Sequence, residues 1–178
     1  VYGVTLRVTD DFGTWDESVF EFVVAYDAEA GFVTGGGWID SPTGAYTPED
    51  ASDTDVVGRA TFGFVSRYRR GATVPSGNTD FRFRAADFNF HSEDYQWLVV
   101  GGARAQFKGT GVINGAGDYG FLLTAVDGDL PGGGGVERFR IKIWDVATDI
   151  VVYDNQAGSD DGTPLATAIG GGSIVIHR

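Results

Sequence analysis

Apolar and polar side chains alternate at every second position through most of this chain, and a period of two points to β-strands rather than helices. Phe81 and Phe83 take turns with Arg82 and Arg84. Phe139, Ile141 and Ile143 take turns with Arg138, Arg140, Lys142 and Trp144, and Val4, Leu6 and Val8 with Thr5, Arg7 and Thr9. Successive side chains of a strand point to opposite faces, so each run offers one face to a core and one to water. Glycine clusters at 35–37, 132–135 and 170–172 cut the runs into short pieces. The candidate strands are Phe32–Ile39, Gly58–Arg69, Thr79–Ala85, Phe88–His91, Trp97–Val100, Ala103–Gly109, Tyr119–Ala125, Val136–Trp144, Ile150–Tyr153 and Gly172–His177. Asn114-Gly115 is a strong hairpin-turn dipeptide between two of them. No stretch of ten residues carries a helical period, although 159–169 has room for a short turn. The predicted fold is all-β: an antiparallel β-sandwich or jelly roll, preceded by a β-hairpin.

The hairpin is expected over residues 1–26. Asp10-Asp11-Phe12-Gly13 is its turn, and Phe20, Phe22 and Val24 mark the return strand. A linker over 27–31 leads to a sandwich module over 32–178. The run from Val1-Tyr2-Gly3-Val4 to Asp10-Asp11-Phe12-Gly13 resembles the last two strands of a PKD domain, an Ig-like sandwich of bacterial surface proteins. The body has its own resemblance, carried by Gly31-Phe32-Val33-Thr34-Gly35-Gly36-Gly37-Trp38-Ile39-Asp40, Phe88-Asn89-Phe90-His91, Phe139-Arg140-Ile141-Lys142-Ile143-Trp144-Asp145 and Gly170-Gly171-Gly172-Ser173-Ile174-Val175-Ile176-His177. It is similar to a β module at the C-terminal end of multidomain secreted bacterial proteins, tails to which the name post-COAP-1 domain is attached. That likeness implies extracellular location and architecture, and no particular chemistry. The lack of any Met leads to the expectation that the chain is cut from a longer secreted or surface protein.

A length of 178 residues with 42% apolar residues affords a core for one domain, or for one domain plus a fragment. The formal net charge of −12 disfavours nucleic acid and anionic membranes as partners. The apolar runs, such as Trp97–Val100 and Phe121–Leu123, are too short to insert into a bilayer. With no Cys, disulfides, thiolate metal sites and cysteine nucleophiles are excluded.

Positive charge is placed less evenly than composition would suggest. Nine of the thirteen Lys and Arg alternate with apolar residues in the strands of the body, which sets a cationic field on one face if those strands share a sheet. The candidate ligand-binding residues on it are Arg67, Arg82, Arg84, Arg138, Arg140, Lys142 and Trp144. Arg holds carboxylates bidentately, which suits uronic acids. The first expectation for such a pattern is a solvated face with its charges paired to neighbouring Glu and Asp; binding of an anionic polymer comes second, and packing against an acidic neighbouring domain of the parent protein third. Carboxylates gather in loops instead, and Asp127, Asp129, Asp160 and Asp161 are candidate ligands for calcium. The loops do not match an EF-hand. His91 and His177 each end an apolar strand, and a hydrogen-bonded structural role is expected for both. The nucleophile elbow G-x-S-x-G, the zinc motif H-E-x-x-H and the phosphate-binding P-loop are all absent.

The preferred reading is a non-catalytic extracellular module that contacts acidic polysaccharide or mediates assembly, with strand-mediated self-association through the hairpin as a further option. The alternative is a polysaccharide-active enzyme, a hydrolase or lyase, which would need a cleft with convergent carboxylates.

Overall fold

A computed structural model describes residues 2–23, 31–48 and 55–177. The first strands, β1 (Tyr2–Thr9) and β2 (Trp15–Val23), pair antiparallel as a two-stranded sheet of their own. Their turn is fixed by Asp10, whose Oδ1 accepts the amides of Phe12 at 2.9 Å and Thr14 at 2.8 Å. Arg7 binds Glu17 at 2.9 Å across the pair and lies 4.4 Å above the Trp15 ring. The predicted hairpin is therefore present, with a return strand that starts earlier than Phe20. Leu6 and Val8 stay 54% and 62% exposed, so burial does not cover this part of the hairpin. The expected linker, apart from Gly31, lies outside the described residues, as does Val24.

The remaining strands are β3 (Phe32–Ser41), β4 (Gly58–Arg67), β5 (Ser76–Phe83), β6 (Phe88–Gly101), β7 (Arg104–Ile113), β8 (Ala116–Val126), β9 (Arg138–Asp145), β10 (Val151–Asp154) and β11 (Gly171–His177). They form one nine-stranded antiparallel sheet in the order β10-β9-β8-β7-β6-β5-β4-β3-β11. Consecutive strands are neighbours until the last, which returns to pair with β3. Asn114-Gly115 does join β7 to β8, and both residues take the left-handed conformation, at φ 53° and 78°, that a tight primed turn requires. A single 3₁₀ turn, Arg84–Ala86, is the only helical element among the described residues, and no helix is long and apolar enough to cross a membrane.

Two strands expected separately, Phe88–His91 and Trp97–Val100, are one continuous strand, β6. The polar run from His91 to Gln96 obscured this. Register shifts between Ser92 and Asp94 and between Tyr95 and Trp97 bend β6 where β5 leaves it. At that point the Ser92 hydroxyl accepts the Thr79 amide at 2.8 Å, and Thr79 meets the Tyr95 hydroxyl at 2.6 Å. Burial raises the pKa of the Tyr95 phenol.

Such a long twisted sheet folds over on itself. Phe62 of β4 stacks on Phe139 of β9 with centroids 4.0 Å apart, and Phe81 of β5 meets Tyr153 of β10 at 4.6 Å. These rings, with Phe64, Phe83, Phe107, Phe121, Ile141 and Ile143, fill a core between two layers. The Tyr153 hydroxyl pairs with Ser41 at 2.9 Å, and burial pushes its pKa up. Both edges of the large sheet are covered. Residues 45–47 pair with β10 through Asp154 N to Ala45 O at 2.8 Å and Thr47 N to Val152 O at 3.0 Å. On β11, the Asp127 and Glu137 carboxylates accept the amides of Ile176 at 3.0 Å and Ile174 at 2.9 Å. Residues 167–169 run along the start of β9 before the chain crosses to β3, so one segment serves both layers.

This folding-over separates the predicted cationic residues. Arg67 on β4, Arg82 on β5 and Arg84 just beyond it are exposed on the outside of one layer. Arg138, Arg140 and Lys142 lie on β9, across the core. Their shared parity does place them opposite Phe and Ile, yet the two groups leave the sandwich in opposite directions.

Candidate functional site

On the outside of the β7–β10 layer the register sets Lys108, Leu122 and Lys142 in one row, and Thr110, Gly120, Trp144 and Val151 in the next. The row with Gly120 has a gap, since glycine leaves no side chain there. Trp144 fills it by lying flat: a Cβ built on Gly120 would come 2.3 Å from the indole. The Lys108 ammonium stands 5.3 Å from the Trp144 ring centroid, within the range of a cation–π contact. Together these side chains line a cavity of about 280 Å³ with Leu122 and Val151 as its apolar part and Asp149 and Asp161 as its carboxylates.

The far wall is built by the loop after β10. Arg140 holds it: Nε and Nη2 donate to the two oxygens of Asp154 at 2.9 and 2.8 Å, and Nη1 and Nη2 donate to the carbonyls of Asp160 and Ser159 at 3.0 and 2.8 Å. Hydrogen bonding to Asp154, opposed by burial, raises the pKa of this guanidinium further. Gln106 and Arg104 also donate to the Asp161 carbonyl, at 3.1 and 3.0 Å. Lys142 completes the wall with an ion pair to Asp161 at 3.2 Å.

Of the predicted ligand-binding residues, Lys142 and Trp144 meet in this groove. Arg140 does not face a ligand. It is 3% exposed and its fork is filled by the loop it anchors. Arg138 begins β9 in the same layer but outside the groove, half-buried, donating to the Val136 carbonyl at 3.1 Å. Arg67, Arg82 and Arg84 belong to the other outer face.

The four predicted calcium ligands are also dispersed. Asp127 is 5% exposed, and its oxygens accept the amides of Asp129 and Ile176 at 3.0 Å each. Asp129 is exposed beside it. Asp160 supplies its carbonyl to Arg140, and Asp161 supplies its carboxylate to Lys142. Among the described residues no group of three His, Asp or Glu is placed to hold a metal. His91 and His177 sit on β6 and β11, four strands apart in the sheet, or roughly 19 Å at the usual strand spacing. His177 stacks on Phe32 at 4.0 Å, and His91 Nδ1 lies 2.8 Å from Asp80.

Sequence reasoning missed Leu122, Asp149 and Val151 as groove residues, and counted Lys108 among the nine strand cations without making it a candidate ligand-binding residue. The available signal was Gly120: a glycine inside a regular strand marks a place where something lies close against the backbone. Comparison with family models, curated proteins and solved structures finds no match to this chain.

Proposed function

We propose that the chain is a non-catalytic extracellular binding module that takes up one or two residues of an acidic polysaccharide in the groove at Trp144. The observation that carries this reading is an indole laid flat on the outer sheet face, with the Lys108 ammonium over it at 5.3 Å from the ring centroid and Lys142 lining the same groove. An aromatic face packs against the apolar face of a sugar ring, and an ammonium beside it donates hydrogen bonds to the sugar's carboxylate. The cavity volume of about 280 Å³ is at the small end for ligand sites and fits a monosaccharide or disaccharide segment. Asp149 and Asp161 share the groove with the two lysines, and Lys142 is paired with Asp161 at 3.2 Å, so a uronate carboxylate must share or displace that contact.

Asp149 and Asp161 also line the groove, which favours a polysaccharide hydrolase as the second reading. Against it, the Asp161 carboxylate is engaged by Lys142 at 3.2 Å and lies 3.8 Å from Arg140.

Affinity electrophoresis of the full chain in gels containing polyuronic acids or neutral glycans tests both readings. The binding reading expects retention by a polyuronate that weakens as salt rises, and at least tenfold loss in Trp144→Ala and in Lys108→Ala/Lys142→Ala. Retention by no acidic polysaccharide refutes it. Release of new chain ends from the polymer, abolished by Asp149→Asn, establishes the enzyme instead.

A further inference from the structure

The layer on the other side of the core carries a second concavity, of about 860 Å³, over β4, β5, β6 and the end of β7. Its floor is bare backbone at Gly63, where a Cβ would meet nothing within 4 Å. Phe62, Phe81 and Phe90 border it only through their backbones, since their side chains are buried in the core. The register sets Thr61, Arg82 and Asn89 side by side in one row, and Gly63, Asp80, His91 and Val112 in the next.

Polar groups here are held in place yet open to solvent. Asp80 Oδ1 lies 2.8 Å from His91 Nδ1, and Asp80 Oδ2 accepts Asn78 Nδ2 at 3.0 Å. That commits Nδ1 and turns the other ring nitrogen, Nε2, to a visitor. The two side chains remain 55% and 60% exposed. Asn114 clamps the start of β6: its Oδ1 accepts the Asn89 amide at 3.1 Å and its Nδ2 donates to the Asp87 carbonyl at 2.7 Å. Arg82 enters no ion pair among the described residues.

The chemistry of this trough narrows its ligand. Asp80 and Asp87 stand against a polyanion, and Arg82 stands against a cation. His91 and Asp80 offer a metal only two ligands, and no third is in place. The strands beneath are interior to the sheet, so a peptide cannot add to them edge-on. Of its apolar lining side chains, Phe62, Phe81 and Phe90 are buried and Val112 is half-buried, so no large apolar side chain stands open for a lipid or an apolar peptide. What remains is a ligand that donates and accepts hydrogen bonds at many points without net charge. Carboxylate, amide, guanidinium and imidazole groups on a flat floor suit the vicinal hydroxyls of a sugar.

We propose that the trough over Gly63 is a second, separate binding site for a neutral polysaccharide, contacted by Arg82, Asn89, Asp80 and His91. The inference goes beyond the acidic-polysaccharide site, which lies on the opposite outer face. A chain with both sites would tie two different polymers together.

Gly63→Gln is the informative variant, because the structure has open space for its side chain and the fold should tolerate it. The intact chain is run in gels containing a soluble glucan, mannan, xylan or galactan, each at low and high salt. The expected result is retention by at least one, little changed by salt, and reduced at least tenfold in Gly63→Gln and in Arg82→Ala. Trp144→Ala retains that binding in full. Titration with oligosaccharides of the retained polymer should shift the His91 Nε2 resonance. Retention by none of the four, or retention unchanged in Gly63→Gln of wild-type stability, overturns the proposal. Equal loss in Trp144→Ala would overturn it too, by showing one site rather than two.

Discussion

Asp127 lies in the loop after β8, yet one of its carboxylate oxygens accepts the backbone amide of Ile176 on the last strand at 3.0 Å. Glu137 does the same for Ile174 at 2.9 Å. These are the amides that a further strand would otherwise take, so two acidic side chains finish the sheet edge. Replacing Asp127 with Ala should cost about 1.5–3 kcal/mol, the usual worth of a hydrogen bond to a charged group. Asp127→Asn, which keeps an acceptor, should cost less. Urea unfolding measures the stability. Light scattering of Asp127→Ala/Glu137→Ala should reveal concentration-dependent association, and a strictly monomeric double variant refutes the edge-capping role.

Arg140 and Asp154 form a bidentate pair that is almost fully buried. Removing one charge strands the other, so Arg140→Met should destabilise by about 3–5 kcal/mol. The double variant Arg140→Met/Asp154→Leu should recover much of that loss. A double-mutant cycle in urea checks it, and simple additivity of the two single effects contradicts the pairing.

Gly120→Ala places a methyl where the Trp144 indole lies. The ring must lift or turn. Tryptophan fluorescence should change, and polyuronate retention should fall at least as far as in Trp144→Ala, with stability lowered by about 1–3 kcal/mol. Unaltered retention would remove the flat indole from the site.

Asp145 shapes the turn between β9 and β10. Its Oδ1 accepts the Thr148 hydroxyl at 2.9 Å and the amides of Thr148 and Ala147 at 2.8 and 3.0 Å. These bonds, the Thr148 hydroxyl foremost, hold its carboxyl below the usual aspartate range. A depressed folded pKa adds stability that is complete above the unfolded value, about 3.9. That stability is lost as pH falls through the lower folded value. The stability gap between wild type and Asp145→Asn should therefore be largest at neutral pH and shrink below about pH 4. Urea midpoints across that range decide it, and a gap that grows on acidification refutes the assignment.

Strand identity was legible because one residue in two must face the core. Phe81, Phe83, Phe139 and Ile141 declare this in their spacing, and Asn114-Gly115 declares its turn. What spacing cannot convey is which way a face points once the sheet folds over. Arg82 and Arg140 have the same parity and opposite surroundings, one exposed and the other sealed by a loop whose carbonyls only the fold brings near. Asp127 looked like an open loop carboxylate because its partner amide lies far along the chain. Trp144 could be singled out, since it shares a face with cations, but its seat on Gly120 depends on the register of two strands.

The pairing of β3 with β11 has a consequence for how the chain comes into being. Phe32 lies opposite His177, and Trp38 opposite Gly171. The strand that opens the large sheet thus waits for the strand that completes it, and every intervening hairpin can form while that seam stays open. During synthesis, β3 leaves the ribosome early with one edge unpaired, exposed to any other strand it meets. Closure of so long a loop is a late and slow event. A shortened chain that ends before β11 would keep its local hairpins and lose the seam, which makes this seven-residue strand the one that seals the open edge of β3.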